Sequence, residues 1–307
     1  MDSYHVVRDR RHAIRGQEVN KFVIIGSGMA GLLARKAVAD SVPDARVSIV
    51  TTTVPRELSW RSVNGIHVLH DNCGLPLDEM LVTNLVVLPM IDKPQMLASL
   101  SGWERKMANG TYGQKVYGSR KATTSITRMP GVIEGYDYVQ AYNQLLREFS
   151  DEIKVTKPVY EDYFHKLADT NTFVILAIPR YHVTPKWVSH PFSIVFFAPA
   201  PPIGFEDPEM GGDNFVVYNA DPAEIWSRTS RVMMGGVENW TTEYSKAPQY
   251  PVPGLRQVEK VIDGDEFALP ENVIPVGRYG KWRSGVLAHD AYWTVIEEMR
   301  IRGLASV

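Results

Sequence analysis

Lys21 to Ile25 (KFVII) is a short apolar run of the kind that lies buried on both faces in a parallel sheet. After the glycines that follow, Leu32, Leu33, Ala34, Ala37 and Val38 recur at helical spacing until Pro43 and Asp44 punctuate the segment. Arg46 to Val50 then reads as a second strand. Strand, helix and strand make one βαβ unit, and such a crossover is right-handed.

Beyond this unit the pattern changes. Between Gly74 and Phe149, apolar residues at Tyr138, Tyr142, Leu145, Leu146 and Phe149 follow a helical period, and Lys93 to Ala108 also reads as helix. A largely helical insertion is therefore expected over 74–150. Thr172 to Ile178 (TFVILAI) is a buried-strand run ended by Pro179, placed to return the chain to the first sheet. Ser193 to Ala198, Phe215 to Asn219 and Arg231 to Gly235 are β-rich pieces between Pro and Gly clusters, the spacing of an antiparallel sheet that walls a ligand. Val273 to Val276 reads as a short strand, Gly277 as a turn, and Val286 to Arg302 as a helix with Leu287, Ala291, Val295 and Met299 on one stripe. The fold class expected is α/β. A discontinuous Rossmann-type domain spans 1–73, 151–180 and 254–307, and the insertion and the antiparallel substrate region (181–253) complete the chain.

Composition narrows the function classes. The 307 residues suffice for about two domains, and 44 % hydrophobic with 22 % charged residues is ordinary for a globular protein. A formal charge of −2 supplies no positive field toward phosphate backbones or anionic lipid, so nucleic-acid binding gains no support from it. The single cysteine, Cys73, excludes intramolecular disulfides and multi-cysteine zinc sites and fits a reducing, cytoplasmic setting; it reads as a packed thiol. Val188 to Phe205 is the longest uncharged stretch, but Pro191, Pro199, Pro201 and Pro202 break it as a membrane span, and the N-terminal residues contain no signal-like apolar run. G-x-S-x-G, P-loop and H-E-x-x-H sequences do not occur, and no metal site is expected.

The turn Gly26-Ser27-Gly28-Met29-Ala30-Gly31 carries the candidate chemistry. In a strand-to-helix turn the first glycine of G-x-G-x-x-G permits the bend, the second lets backbone approach a pyrophosphate, and the third allows close packing of helix on strand. The exposed N–H groups of the helix start then donate to phosphate oxygens. An isolated match is weak, but here it follows an apolar strand and opens an amphipathic helix, the context its mechanism requires. The second strand ends in Thr51, Thr52 and Thr53, where an acidic residue usually takes the ribose hydroxyls; a threonine hydroxyl is the expected substitute.

A further set of segments is distinctive. Asn272 to Trp282 (NVIPVGRYGKW) leads into the last amphipathic helix, Tyr250-Pro251-Val252-Pro253 precedes it, Asn64 to His70 (NGIHVLH) follows the second strand, and Ile178-Pro179 ends another. Together these resemble FAD proteins of the UDP-galactopyranose mutase and amine oxidase group, with matches in order along nearly the whole chain. The resemblance implies a glutathione reductase-like FAD-binding domain with FAD as cofactor. It implies pyrophosphate contacts from Arg56 and Arg61, flavin contacts from Gly65, Ile66 and His67, and further contacts from Gly277, Arg278, Gly285, Val286 and Leu287. His67, Tyr279 and Trp282 are the expected catalytic candidates. His70 ranks below His67, because positions three apart on an extended segment project to opposite faces. Trp240 and Tyr250 are aromatics of the same region, suited to packing or to a flat or cationic substrate.

The expected activity is oxidation of a C–H bond next to nitrogen in a small amine or nucleotide-linked substrate, with hydride passing to flavin N5. The mutase likeness leaves open a sugar isomerisation at reduced flavin. Two other readings stay open: a flavoenzyme remodelling an amino-acid-modified thymine in phage DNA, and a flavin-binding protein without turnover. The chain is expected to act without a membrane, and a homo-oligomer is possible.

Overall fold

The computed structural model describes residues 21–59, 68–76, 82–90, 93–119, 131–157, 167, 171–209, 212–234, 237–264 and 267–305. The chain runs through β1 (Lys21–Ile25), α1 (Met29–Ser41), β2 (Arg46–Thr51), β3 (Val68–Leu69), β4 (Val82–Met90), α2 (Gly102–Tyr117), β5 (Val132–Asp137) and α3 (Tyr138–Glu148). It continues through β6 (Ile153–Val155), β7 (Phe173–Leu176), β8 (Phe192–Ala198), β9 (Phe215–Asn219), β10 (Trp226–Met234) and β11 (Val237–Tyr244). It ends in β12 (Arg256–Val261), β13 (Val273–Pro275), α4 (Gly277–Lys281) and α5 (Asp290–Ile301).

Among the described residues, five strands form a parallel sheet in the order β13-β7-β1-β2-β6. Alternation along β1 sends Phe22 and Ile24 into one core, with α1, α3 and α5, and sends Val23 and Ile25 into a second, with Val174, Leu176 and Val273. From β1 the chain winds through α1 to β2 and on to β6, then crosses back over β1 to β7 and β13. The winding direction therefore reverses between β1 and β7. In open α/β sheets ligands bind outside the carboxyl ends of the strands at such a switch point.

Among the described residues the other sheet has eight strands in the order β12-β8-β11-β10-β9-β4-β5-β3 and is antiparallel except for the parallel pair β4 and β9. Tyr112 and Val116 of α2 pack on one face against Val195, Phe197, Val216 and Tyr218, while Leu88, Phe215, Val217 and Tyr244 fill the opposite face. Beneath α2, Glu243 is 1 % exposed and accepts hydrogen bonds from Lys260 Nζ at 2.7 Å, Arg228 at 3.0 Å and Ser227 Oγ at 3.0 Å. A register shift in β10 between Trp226 and Arg228 makes room for Ser227 beside that carboxylate.

The span expected to be largely helical thus contributes β4 and β5 as well as α2 and α3. Asn84 and Pro89 interrupt the alternation of β4, and Gly135 that of β5, which hides both strands from periodicity. Helix α2 begins at Gly102 and not near Lys93. Ser101 Oγ accepts from Glu104 N at 3.3 Å while Glu104 Oε2 accepts from Ser101 N at 2.8 Å, and this capping box fixes the start; Pro94 instead bridges to Met90. Likewise α5 begins at Asp290, because Gly285 takes φ +75° and Asp290 Oδ2 accepts from Leu287 N at 2.7 Å. Strands β11 and β12 carry too many polar residues to be read from hydrophobicity.

Candidate cofactor-binding site

The three glycines of the first turn occupy three physically different positions. Gly26 has φ +111°, and a Cβ there would lie 2.9 Å from Ile178 Cγ2. Gly31 has no room for a side chain, because its Cβ would collide with the Gly26 carbonyl oxygen. Gly28 is the opposite: it is exposed, nothing lies within 4 Å of its Cβ direction, and it begins α1 with no side chain capping the helix. Folding therefore demands glycine at 26 and 31 but leaves 28 open. The Met29 side chain is buried, Ala30 is half-buried, and buried Ser27 has its carbonyl oxygen held by Tyr142 Oη at 3.3 Å. That α3 contact on the turn has no signal in sequence.

The distant bend meets this turn. Gly277 has φ +66°, and a Cβ on it would lie 2.7 Å from the Ala30 side chain. Gly280, one turn on, must also be glycine, since a Cβ would collide with the Leu176 carbonyl. Strand β7 is thus seated between the two glycine bends, with Gly26 against Ala177 and Gly280 against Leu176. Residues about 250 apart in sequence meet at the carboxyl ends of β1, β7 and β13, where the ligand crevice of an open α/β sheet lies.

Around the crevice, Arg278 is half-buried and donates Nε to the Val286 carbonyl at 3.2 Å. This ties α4 to the loop carrying Gly285, Val286 and Leu287. Its two terminal amino groups have no hydrogen-bond partner among the described residues, which leaves the geometry suited to an anionic oxygen pair. Arg278→Ala is expected to leave the fold intact and to raise the rate of cofactor loss about tenfold, a change of ~1.4 kcal/mol; release of bound cofactor after dilution measures it, and an unchanged rate would assign Arg278 to the surface.

At the end of β2, Gly26 N donates to Val50 O at 2.8 Å, which places half-buried Thr51 beside the turn. The Thr51 hydroxyl donates to Thr53 O at 3.3 Å, and Thr52 is exposed. Arg56 is exposed on the following segment, which Asn143 of α3 clamps through both backbone groups of Leu58. Arg61, Gly65, Ile66 and His67 lie outside the described residues.

Tyr279 and Trp282 sit on the side of α4 that faces the larger sheet. Tyr279 Oη donates to Glu259 O at 2.7 Å, and burial pushes its phenol above the ordinary value. Trp282 is buried, with φ +49°, and donates its indole N–H to Pro191 O at 3.2 Å. Its ring meets Tyr181 and His190 edge-on, at 5.3 and 5.1 Å. These aromatics join the parallel sheet's edge to the strand β8 region. Trp240 packs elsewhere, with Phe205 and Phe215. His70 stacks on His289 at 5.6 Å; burial, then the charge of His289, lowers it to about 4, so it is neutral at neutral pH. Cys73 is buried, and burial followed by Asp71 raises its thiol, which keeps it protonated and unreactive.

No protein-family profile matches the sequence, and no curated protein matches it in sequence. Solved structures do match in fold. A reduced UDP-galactopyranose mutase aligns with a TM-score of 0.56 over 94 % of this chain and 95 % of its own, at 13 % identity. The chain has the fold of that mutase. BrvH, a flavin-dependent halogenase from Brevundimonas sp. BAL3, aligns with a TM-score of 0.50 over 92 % of this chain and 71 % of its own, at 9 % identity. MibH, a tryptophan 5-halogenase, gives 0.50 over 92 % of this chain at 13 % identity, and this chain spans 66 % of MibH. Among the described residues, no helix is long and apolar enough to cross a membrane.

Proposed function

We propose that this chain binds FAD and is a flavoenzyme acting on a small-molecule substrate. The observation that carries the reading is the approach of Gly277 to Ala30, which brings the phosphate-type turn and the Gly-Arg bend together. The residues fit the group. Open space at Gly28, the uncapped start of α1 and the free ends of Arg278 suit a pyrophosphate, and the Thr51 to Thr53 turn flanks the expected ribose side.

When bound, FAD supplies a hydride acceptor at flavin N5 for a substrate C–H bond adjacent to nitrogen. The chain's own contribution is positional. Arg278 fixes the 285–287 loop through Val286, and buried Trp282 and Tyr279 close the side toward β8 and keep water from that flank. Tyr279, protonated by burial, holds its proton toward Glu259 O and is a structural donor in this arrangement. A neutral His70 serves as a packing partner of His289 at the start of α5.

A second reading, isomerisation of a nucleotide sugar at reduced flavin, draws support from the alignment with the mutase, which covers both chains almost end to end. One experiment separates them. The purified protein is expected to carry or take up about one FAD and to show an oxidised-flavin spectrum. Amines are then offered to the oxidised protein and UDP-galactopyranose to the dithionite-reduced protein. Substrate-dependent bleaching or peroxide release supports oxidation, and isomer formation only after reduction supports the second reading. A protein that neither carries nor takes up FAD overturns both.

A further inference from the structure

We propose that the cavity between α2 and the β9–β10 connection is a second small-molecule site, which takes a carboxylate attached to an apolar body. The cavity measures about 510 Å³ and shares no residue with the cofactor crevice. Sites for small ligands are typically ~300–1,000 Å³, mostly apolar, with a few fixed polar groups. This one has that make-up. Met107 and Ala108 of α2 and Ile225 of the facing connection supply apolar wall, and Lys115 supplies the fixed charge.

Lys115 is held and not free to wander: its Nζ donates to Asp221 O at 2.7 Å and to Asn219 O at 3.4 Å. Both acceptors are neutral carbonyls, and no carboxylate among the described residues lies within ion-pair distance of it. A half-buried ammonium with two neutral acceptors keeps one donor and a full charge to offer. The protein tolerates this cation at a cost, since burial lowers Lys115 to about 8 against the opposing pull of Asp221 and Glu224. A bound anion would restore the ordinary affinity for the proton. The acidic groups of the lining do not occupy the place. Asp221 turns one carboxylate oxygen back to Ala223 N at 2.8 Å, and Glu224 is exposed.

The proposal is tested on the protein as purified, with its cofactor content recorded, by calorimetric titration with 3-phenylpropionate and with its uncharged amide, 3-phenylpropanamide. Saturable binding of the acid is expected, with the amide at least about tenfold weaker, the equivalent of one such charged contact. Lys115→Met is expected to abolish the preference for acid over amide. Thr111→Trp, which fills the lining while keeping Lys115, is expected to abolish binding of both, with the circular dichroism spectrum and cofactor content unchanged. Absence of saturation, equal binding of acid and amide, or wild-type binding by either folded variant would overturn the proposal. None of these outcomes depends on whether the crevice at Gly28 binds FAD.

Discussion

Gly31→Ala is expected to lose about 3 kcal/mol or more of folding stability, whereas Gly28→Ala folds normally and loses cofactor affinity. The two positions stand three residues apart in one motif, and their difference lies in what a methyl group would meet. At 31 it meets the carbonyl oxygen of Gly26, a backbone atom that cannot yield without opening the junction of β1 and α1. Overpacking in a core ordinarily costs ~1–3 kcal/mol, and a clash against backbone lies at or beyond the top of that range. At 28 the methyl enters space that the protein leaves empty, so thermal stability stays within about 0.5 kcal/mol of wild type, as for an ordinary surface change. The loss appears only in binding, at about tenfold or more, because backbone no longer reaches the pyrophosphate. Thermal unfolding of both variants and FAD titration of Gly28→Ala check the pair. Undiminished affinity at 28 would remove the pyrophosphate from this turn.

Glu243→Gln is the second large effect. Burial by itself would raise this carboxyl, but Lys260 and Arg228 outweigh it and hold Glu243 at about 2, so it is ionised at any ordinary pH. Removing its charge leaves two cations in the core beneath α2, and breaking one partner of a buried pair costs about 3–5 kcal/mol. Against a total stability of ~5–15 kcal/mol that is a large share. The expected result is a fall in melting temperature of roughly 6 °C or more. Adding Lys260→Met to the variant should recover part of the loss, which a mere packing defect would not. The pH dependence has a definite sign. A carboxyl depressed in the folded state contributes stability above its unfolded value, near 4.5, and that contribution fades as pH falls toward 2. The difference between wild type and Glu243→Gln should therefore be full at pH 6 and shrink steadily below about 4.5.

The first βαβ unit was readable because its strand is continuously apolar and its glycines have one mechanical explanation each. The final bend was readable only as a likeness, since Gly277 and Gly280 owe their identity to Ala30 and Leu176, residues no local pattern connects to them. Strands β4 and β5 stayed hidden for a related reason: they are stabilised by pairing with each other and, for β4, with the distant β9, and their own residues do not alternate cleanly. Tyr142 reads as a core position of an amphipathic helix, and its hydroxyl contact with Ser27 is created by the packing of α3 on α1. The Glu243 cluster has no sequence signature either, because its charges lie on three strands and are brought together by register alone.

The parallel sheet inserts β13 beside β7 only after β8 to β12 of the larger sheet have been threaded through the sequence between them. A polypeptide emerging from the ribosome, at roughly 5–20 residues per second, therefore exposes the first glycine turn long before Gly277 has been made. For those seconds the nascent chain holds half of a crevice and has nothing to retain a dinucleotide with. Under the FAD reading proposed above, both bends are in place to hold the dinucleotide only once Gly277 has been made.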